Sequence, residues 1–493
     1  MKKYLYGAAV QGIQDFIFRT NDLDQIMGAS ALVERICTSA FEGYAEGGSI
    51  VVMAAGNVKC IFDDKDACSK AVLEFPKKVM CMAPGITISQ AVVEFEDGDF
   101  KAAVEKLEKK LKVQRNKPQK NILAGLIGIK RANNTGFPVV EVLGKRFLDE
   151  STKAKIDCKN KKELCRKSFG DGFNMELPSK AEDIKGKNDW VAVIHADGNG
   201  LGKVVQKIGG SADVYHEFSQ KLDIATTNAA QYAYDKICEK FEKEKIVPIW
   251  PVVLSGDDMT VIIRGELAID YVQAFIEAFE LETGSLLTDK SGQNILAEVF
   301  KDGKKYLTAC AGVAYIKASY PFYFGYELAE TLCTQAKKDT KAIAGTDNLP
   351  ASCIMFHKVQ DSFISDYDDI VKRELTAYDR LSFKAGPYYV KEMTGRFTID
   401  NLVECASEMD NYDGLKSGVR QWLSLRLKDE HQACQRRTRL EAINEGNDKA
   451  VNLLKKVTDE KQREKEKVCI AYDVLAYHTI MNQETNNKED GND

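Results

Sequence analysis

Three aspartates stand where apolar strands would end or turn. Asp197 follows the apolar run 191–194, and Asp257 and Asp258 lie between the apolar runs 251–254 and 260–263. A hairpin tip between two such strands holds its carboxylates on a rigid support. If the strand ending at Asp197 neighbours that hairpin, the carboxylates face one another across about one strand spacing, roughly 4.8 Å. Clustered carboxylate oxygens favour Mg²⁺ or Mn²⁺, so the sequence predicts a divalent-cation site.

Glycines surround these aspartates. Gly198 and Gly200 follow Asp197, and Gly256 precedes Asp257. Because glycine has no Cβ, backbone N–H groups in such a loop can approach the phosphates of a nucleotide. Two metal ions about 3.5 to 4 Å apart would stabilise the attacking and leaving oxygens of an in-line phosphoryl displacement. The combination therefore predicts metal-dependent phosphoryl or nucleotidyl transfer with two ions per site.

An Asp-Asp pair alone carries little information. The chain has three of them, Asp63-Asp64, Asp257-Asp258 and Asp368-Asp369, and two aspartates can simply solvate a turn. Only the second pair lies between two apolar strands and has a further strand-end aspartate followed by glycines elsewhere in the chain. The complete set, rather than the pair, favours the catalytic interpretation.

The surrounding pattern predicts the elements that must position these residues. Strands and helices alternate up to about residue 357, including a helix over 14–37 and a long helix over 213–245, and a mostly helical remainder follows. The two halves look like one unit written twice, with 51–58 matching 252–259. In this alignment Gln11 of the first copy stands opposite Asp197 of the second, Gly56 opposite Asp257, and Asn57 opposite Asp258.

The predicted fold class is therefore α+β. Two ferredoxin-like βαββαβ domains form a pseudo-dimer, the first of them without the carboxylates of the second, and a helical domain follows. The predicted divisions are a degenerate first ferredoxin-like domain over 1–135, a connecting segment over 136–188, a second ferredoxin-like domain with the catalytic carboxylates over 189–358, a helical domain over 359–482 and a polar tail over 483–493.

Several segments carry a family resemblance. Residues 197–203 (DGNGLGK) and 255–258 (SGDD) resemble the paired palm motifs of the large polymerase-cyclase subunit of type III CRISPR effector complexes, a family related to the GGDEF cyclases. Residues 12–18 (GIQDFIF), followed by 28–30 (GAS), are similar to its first-palm signature. Residues 320–337 also resemble the helix after the last palm strand. The resemblance covers about residues 4–340 and, more loosely, the helical remainder.

The resemblance implies an activity and roles for individual residues. That family converts ATP into cyclic oligoadenylate messengers for antiviral defence, and a ribose hydroxyl of one ATP attacks the α-phosphate of another and expels pyrophosphate. Asp197 and Asp257 would bind Mg²⁺ or Mn²⁺, and Asp258 would be a further ligand or orient the metal shell. The implied catalytic and metal-binding residues are thus Asp197, Asp257 and Asp258. The implied nucleotide-binding residues are Gly198, Gly200, Ser255, Gly256 and Lys337, the last of which would neutralise the triphosphate.

Three departures from the family pattern matter. Asn199 stands where the family often has a second aspartate, and Ser255 replaces the usual first glycine of the hairpin. The chain also starts directly at the first palm, so we expect neither the family's HD nuclease domain nor a zinc module. DNA cleavage is accordingly not expected. The implied partners are ATP, RNA-guided effector subunits, RNA and a second copy of the chain.

Length, net charge and cysteine content limit the classes of protein to which this chain can belong. The 493 residues suggest about three domains at roughly 150 residues each. A net charge of −5 excludes a global positive field, so any contact with a polynucleotide must be local. No apolar run reaches the roughly 18 residues that span a bilayer, which predicts a protein outside the membrane. The thirteen cysteines contain no C-x-x-C and favour reduced thiols in the cytoplasm.

Other features have ordinary structural interpretations. The stretch 101–120, with eight basic and two acidic residues, is more typical of the solvated face of a helix than of an RNA contact. His195 is expected to pack in the sheet rather than to shuttle protons. The aromatics of 320–326 are expected in the core, and the arginines of 436–439 on a charged helix.

The leading prediction is an ATP-using nucleotidyltransferase that makes a cyclic oligoadenylate signal. One alternative is a non-catalytic subunit that keeps the palm fold for assembly of an RNA-guided complex. A second alternative is a cyclase that uses GTP.

Overall fold

The computed structural model of the protein describes residues 2–54, 56–96, 98–117, 128–288, 292–296, 298–360, 366–463 and 466–482. The first unit contains, in chain order, β1 (Lys2–Gln11), α1 (Ile13–Phe18), α2 (Leu23–Cys37), α3 (Ser39–Glu42), β2 (Gly48–Ala54), β3 (Asn57–Phe62), α4 (Lys65–Met82), β4 (Thr87–Glu96) and α5 (Phe100–Arg115). Its four strands form an antiparallel sheet in the order β2-β3-β1-β4, which is the order of a βαββαβ fold.

Both faces of the central strand β1 are covered. Tyr6 stacks on Phe41 with the ring centroids 5.8 Å apart, on the face that α4 also covers through Phe75. On the other face Gly7 leaves the space that Leu107 of α5 fills, because a Cβ at that position would lie 2.6 Å from the leucine side chain. The apolar side of α5 thus packs on the sheet while its lysines face solvent, as the sequence predicts for the basic stretch.

The connecting segment is more structured than its sequence suggests. It contains β5 (Glu141–Leu143), β6 (Arg146–Leu148), α6 (Glu150–Asp157), α7 (Lys161–Phe169) and α8 (Ala181–Ile184). The helix α6 crosses α2 so closely that a Cβ on Gly28 would lie 1.8 Å from the carbonyl oxygen of Lys155. The glycine of the GAS motif is therefore required by packing against the connecting segment. These short helices show no amphipathic period long enough to be recognised in the sequence.

The second unit repeats the first and extends it. It contains β7 (Trp190–Gly198), α9 (Leu201–Ile208), α10 (Ala212–Cys238), β8 (Ile249–Ser255), β9 (Asp258–Arg264), α11 (Ala268–Leu286), β10 (Ala309–Lys317), α12 (Phe322–Ala344) and β11 (Cys353–Lys358). A short 3-10 helix, Gly265–Leu267, follows β9. The sheet order is β12-β11-β10-β7-β9-β8, so β8, β9, β7 and β10 repeat the ferredoxin-like arrangement and β11 adds a parallel strand. The predicted pair of palm-like βαββαβ units is confirmed.

The remainder is mostly helical. It contains α13 (Tyr367–Glu374), β12 (Tyr388–Tyr389), α14 (Ile399–Glu408), α15 (Leu415–Arg426), α16 (Glu430–Ile443), α17 (Asp448–Thr458), β13 (Lys461–Arg463), β14 (Glu466–Val468) and α18 (Ala471–Met481). A 3-10 helix, Met409–Asn411, follows α14. The strand β12 pairs with β11 and so joins this part to the second sheet. The predicted domain divisions stay predictions, and the predicted polar tail 483–493 lies outside the described residues.

Strand register corrects one predicted correspondence between the two units. Asn57 and Asp258 are equivalent, because each begins the second strand of a hairpin with a two-residue turn. The ladder of the first unit pairs Ala9 with Asn57, whereas extending the ladder of the second by one step brings Asp197 opposite Asp258. Ala9, rather than Gln11, is thus the counterpart of Asp197, and the predicted pairing is wrong by two residues.

The glycines explain the error. Gly12 and Gly200 each precede a helix and have left-handed backbones, with φ of +64° and +83°. In the corrected register Gly12 and Gly200 are equivalent. The sequence alignment of Gln11 with Asp197 instead places the next residue, Gly12, opposite Gly198. Two glycines two residues apart permit both alignments in sequence, and only the strand ladder decides between them.

Two predicted helices differ in extent. The predicted helix over 14–37 is broken into α1 and α2, and Asp22 caps α2 by accepting a hydrogen bond from the N–H of Asp24 at 3.1 Å. The helix predicted over 213–245 ends at Cys238, and the charged residues that follow form turns. Among the described residues, no helix has both the length and the apolarity needed to cross a membrane.

Candidate functional site

A two-residue turn presents the aspartate pair. β8 and β9 pair up to Ser255 and Asp258, which leaves Gly256 and Asp257 as the turn. Gly256 has φ of +66°, a left-handed conformation that favours glycine. Asp257 therefore projects from the tip, and Asp258 begins the returning strand.

The end of β7 brings the third carboxylate to this tip. β7 lies between β9 and β10 in the centre of the second sheet, and Asp197 is its penultimate residue. The carboxylate oxygens of Asp197, Asp257 and Asp258 all lie within 4.8 Å of one another, and each side chain is partly exposed. The structure thus brings together the three aspartates that the sequence singled out.

Gly198 makes this approach possible. A Cβ at this position would lie 2.9 Å from the Cβ of Asp257 and 3.0 Å from its Oδ2. Gly200, which precedes α9, is similarly enclosed, since a Cβ there would lie 2.7 Å from the ring of Phe300. Packing therefore requires glycine at 198, against the hairpin, and at 200, against Phe300.

Lys337 lies against the same cluster. Its ammonium group forms an ion pair with Asp197 and donates a hydrogen bond of 2.8 Å to the carbonyl oxygen of Gly198. Burial alone would lower the pKa of Lys337, but the charge of Asp197 and its hydrogen bond raise the pKa above its usual value. The lysine therefore stays protonated and supplies one positive charge to three carboxylates.

The carboxylates of the hairpin resist ionisation. Burial raises the pKa of Asp257 well above its usual value, and repulsion from Asp258 and Asp197 raises it further. Burial, followed by repulsion from Asp197, raises the pKa of Asp258 to about 7, although Lys337 opposes the shift. One ammonium group does not compensate this concentration of negative charge.

These features fit a divalent cation. Several carboxylate oxygens within a few ångströms of one another match the oxygen ligands that Mg²⁺ and Mn²⁺ prefer. The raised pKa values arise partly from like-charge repulsion, which a bound cation would relieve. The residues that would hold it are Asp197, Asp257 and Asp258.

Comparison with known proteins agrees with this geometry. The sequence profile of the family described as Cas10/Cmr2, second palm domain, matches residues 190–344. Residues 190–344 are therefore similar to a Cas10/Cmr2 second palm domain. The predicted resemblance to the palm-domain subunit family of type III CRISPR effector complexes is therefore confirmed. Among curated proteins, none matches the sequence.

Solved structures share the fold over nearly the whole chain. A Csm1-Csm4 cassette in complex with cA4 has a TM-score of 0.57 at 15% identity and covers 97% of this chain and 70% of its own. The same type of cassette in complex with one ATP gives a TM-score of 0.53 at 15% identity, again with 97% and 70% coverage. Csm1 in T.onnurineus has a TM-score of 0.53 at 15% identity and covers 98% of this chain and 70% of its own.

Two residues that depart from the family pattern have structural roles in the palm domain. Asn199 is 1% exposed, and its side-chain amide donates to Thr308 Oγ1 at 3.2 Å and to Cys310 Sγ at 3.3 Å. It therefore contacts β10 and the residue before it rather than the carboxylates. Ser255 is 6% exposed and lines a cavity of about 60 Å³ beside Asp258, so it lies below the open surface of the site.

His195 lies in β7 and packs there against its neighbours, as expected. Its ring packs edge-on against Tyr326 with the centroids 5.6 Å apart, and its Nδ1 lies 3.1 Å from Thr260 Oγ1. Burial lowers the pKa of His195 to about 4, so the ring is neutral at physiological pH. The expectation that the aromatic residues of 320–326 lie in the core holds only in part. Phe322 and Tyr326 are buried, whereas Phe324 is 40% exposed.

The remaining expectations concern residues away from the palm site. Arg437 pairs with Glu441 and Asp459 on the surface of the helical part, which fits a charged helix. Cys158 and Cys165 are both buried free thiols, which fits the predicted reduced state of the cysteines. The last residues of the basic stretch, 118–120, lie outside the described residues.

The sequence analysis did not identify the side chains that form hydrogen bonds with the backbone of the hairpin. Asp223 of α10 accepts a hydrogen bond of 3.2 Å from the backbone N–H of Gly256, and Thr226 donates one from its hydroxyl to the carbonyl oxygen of Gly256. Lys167 of α7 donates to the carbonyl oxygen of Leu254 at 2.9 Å. These residues belong to no motif, so only the tertiary structure identifies them.

The raised pKa values predict a pH-dependent stability. In the absence of a divalent cation, folding gives Asp258 a pKa of about 7 against a usual value of 3.8. The folded state therefore holds a proton that the unfolded chain has already lost, and the contribution of Asp258 to the free energy of unfolding falls between about pH 4 and 7 by at most about 1.4 kcal/mol for each pH unit. Asp257, whose pKa is also raised, lowers the free energy of unfolding further as the pH rises.

Thermal unfolding in EDTA at pH 5 and pH 8, compared between the wild type and Asp258→Asn, tests this prediction. The wild type should lose more stability than the variant on going to pH 8. Added Mn²⁺ should stabilise the wild type more at pH 8 than at pH 5, because the cation competes with the proton. Parallel pH profiles for the two proteins would contradict the prediction.

Proposed function

We propose that this protein is a metal-dependent nucleotidyltransferase that converts ATP into cyclic oligoadenylate with release of pyrophosphate, in CRISPR-type antiviral defence. The observation that carries the proposal is the convergence of Asp197, Asp257 and Asp258 beside Lys337 in a domain similar to a Cas10/Cmr2 second palm domain. Solved structures of the same fold carry cA4 or ATP, which supports the choice of an adenine nucleotide.

Each acidic residue has a defined part in the proposed reaction. Asp197, Asp257 and Asp258 would hold Mg²⁺ or Mn²⁺, with two ions as our expectation. A bound divalent cation would supply Lewis-acid chemistry, lowering the pKa of a ribose hydroxyl and stabilising charge on the α-phosphate. The rigid two-residue turn and the central strand β7 keep the carboxylates in place, so that little reorganisation accompanies catalysis.

Lys337 and the glycines would receive the triphosphate. Lys337 carries a positive charge at the carboxylate cluster from its position on α12, where it can neutralise phosphate oxygens. Gly198 and Gly200 remove side chains from the start of α9, and Gly256 does so at the hairpin turn. Protein side chains fill the space that a Cβ would take at Gly198 and Gly200, so substrate phosphates would meet the remaining faces of this backbone.

The first unit would bind the second nucleotide. Gln14, Ser30 and Gly56 of that unit line the same small cavity as Asp258 and Ser255. The two units therefore meet directly behind the candidate catalytic residues. Because the first unit has no carboxylates at the equivalent positions, it would orient a nucleotide without binding metal there.

The proposal includes partners. RNA-guided effector subunits and RNA are the expected regulators, and the similar Csm1 chains were solved with Csm4. Self-association and a cytoplasmic location belong to the same proposal.

The test is incubation of the purified protein with labelled ATP or GTP and Mg²⁺ or Mn²⁺, with and without RNA, followed by mass spectrometry of the products. We expect pyrophosphate and cyclic oligoadenylate from ATP. Products from GTP in preference to ATP would favour a GTP cyclase. Unreacted nucleotide under every metal and RNA condition would favour the scaffold alternative.

A further inference from the structure

One lysine of the connecting segment donates a hydrogen bond to the hairpin that carries Asp257 and Asp258. The ammonium group of Lys167, on α7, donates to the carbonyl oxygen of Leu254 at 2.9 Å, to Asp223 Oδ1 at 3.1 Å and to Glu34 Oε1 at 3.3 Å. Leu254 lies two residues before the turn that carries Asp257. A single side chain thus bridges the first unit, α10 of the second unit and the hairpin.

The contact continues into the turn itself. The Asp223 oxygen that binds Lys167 also accepts a hydrogen bond of 3.2 Å from the N–H of Gly256. The carbonyl group of Gly256 accepts from Thr226, one helical turn further along α10. Both backbone groups of this turn residue are therefore held by α10, whose carboxylate is in turn oriented by Lys167.

The network is partly shielded from water, which strengthens the interactions between its charges. The side chains of Lys167 and Glu34 are 20% and 19% exposed, and that of Asp223 is 32% exposed. Burial raises the pKa of Glu34 above its usual value, although the charge of Lys167 opposes the shift. Separating these charges would leave each of them poorly solvated and unpaired, which is energetically unfavourable. The ion pairs therefore hold the elements that carry them in fixed relative positions.

We infer that Lys167 is a positioning residue that couples the placement of the first unit to the geometry of the hairpin bearing Asp257 and Asp258. The inference rests on the proposed function. Lys167 touches neither the carboxylates nor the expected substrate position, and it acts through Leu254 and Asp223. A change in how the first unit packs on α7 would reach the hairpin through this side chain.

The chain provides a closely matched control. Lys161 lies on the same helix, and its ammonium group pairs with Asp24 of the first unit at 2.7 Å, with 15% of its side chain exposed. Lys161→Met therefore removes an ion pair between α7 and α2 without affecting the hairpin. Lys167→Met removes the same chemistry together with the hairpin contact.

The experiment compares the full-length wild type with Lys167→Met, Lys161→Met and Glu34→Gln. We expect Lys167→Met to lower kcat for ATP roughly 10- to 100-fold with KM changed less than about threefold, because a small displacement of catalytic groups is costly. Lys161→Met should stay within about twofold of the wild type. Glu34→Gln should change kcat in the same direction as Lys167→Met but less, since it removes only the first-unit contact.

Two further measurements do not depend on turnover. Hydrogen exchange of the Gly256 amide should be faster in Lys167→Met than in the wild type and unchanged in Lys161→Met. Mn²⁺ affinity, measured by electron paramagnetic resonance, should fall in Lys167→Met, fall less in Glu34→Gln and stay unchanged in Lys161→Met. If Lys167→Met does not fold, the same comparison between Glu34→Gln and Lys161→Met decides the question.

The outcomes separate the inference from the proposed function. If the wild type turns over no nucleotide but the exchange and Mn²⁺ data still distinguish Lys167→Met from Lys161→Met, the proposed function fails and the positioning role stands. If the two variants match in amide exchange and Mn²⁺ affinity, the positioning role is refuted, whatever the turnover.

Discussion

Replacement of Asp257 and Asp258 together by asparagine should abolish ATP turnover, with a loss of at least about 10³-fold. The amides keep the size of the side chains but cannot supply the negative charge that a divalent cation requires. Asp197 alone would remain, and it already pairs with Lys337. Cation affinity and catalysis should therefore fall together.

The same variant should be at least as stable as the wild type. Burial and mutual repulsion disfavour the ionised forms of both aspartates in the folded state, as their raised pKa values show. Neutral amides do not carry that penalty, so metal-free unfolding at pH 8 should occur at an equal or higher temperature. A stable, inactive variant excludes unfolding as the cause of lost activity.

The measurements are product formation from labelled ATP, Mn²⁺ binding and thermal unfolding in EDTA. Asp368→Asn with Asp369→Asn is the matched control, because this other Asp-Asp pair lies in the first turn of α13 rather than at the hairpin. The control should keep wild-type turnover. Turnover above about a tenth of the wild-type rate in the Asp257 and Asp258 variant would contradict the assigned roles, since loss of the metal ligands should cost far more.

Replacement of Lys337 by methionine should separate cation binding from catalysis. We expect kcat/KM for ATP to fall about 10²-fold, because the triphosphate of the reacting ATP, including its pyrophosphate leaving group, loses a preorganised positive charge. In the absence of substrate, however, the ammonium group competes with a metal ion for Asp197. Mn²⁺ affinity should therefore stay the same or rise while turnover falls.

Lys338→Met is the control for this experiment. Lys338 is the next residue on α12 but is exposed, so its loss should affect neither turnover nor Mn²⁺ binding. Equal loss of Mn²⁺ affinity and activity in Lys337→Met would show that the lysine supports the metal site indirectly, which would refute the proposed role toward the triphosphate.

The two variants together distinguish the alternatives. Loss of Asp257 and Asp258 should reduce both cation binding and turnover, whereas loss of Lys337 should reduce turnover alone. In a non-catalytic scaffold neither substitution would change nucleotide chemistry, and assembly with other subunits should be unaffected in every case.

Much of the candidate site followed from local sequence. The run that ends at Asp197 and the two runs around Asp257 and Asp258 are short and almost entirely apolar, so each predicts a buried strand with a polar end. Glycine at 198 and 256 indicated close backbone approaches, and the structure shows both a tight contact and a left-handed turn there. Strand ends and turns depend on neighbouring residues, which is why the sequence predicts them well.

The relation between the two units was only partly predictable. The repeated βαββαβ order was visible, but the alignment of Gln11 with Asp197 is wrong by two residues. Ladder register depends on hydrogen bonds between strands distant in sequence, and a pair of nearby glycines allowed two alignments.

Local sequence thus determined which residues form strands and turns and which side chains stand at their ends, because propensity, apolar runs and glycine act over a few residues. Only the tertiary structure decided what surrounds those ends. Lys337 reaches Asp197 from a helix far along the chain, and Lys167 joins Glu34, Asp223 and the hairpin from a segment whose sequence has no clear period. Such contacts depend on how helices pack on a sheet, and that packing is set by side chains distributed over the whole chain.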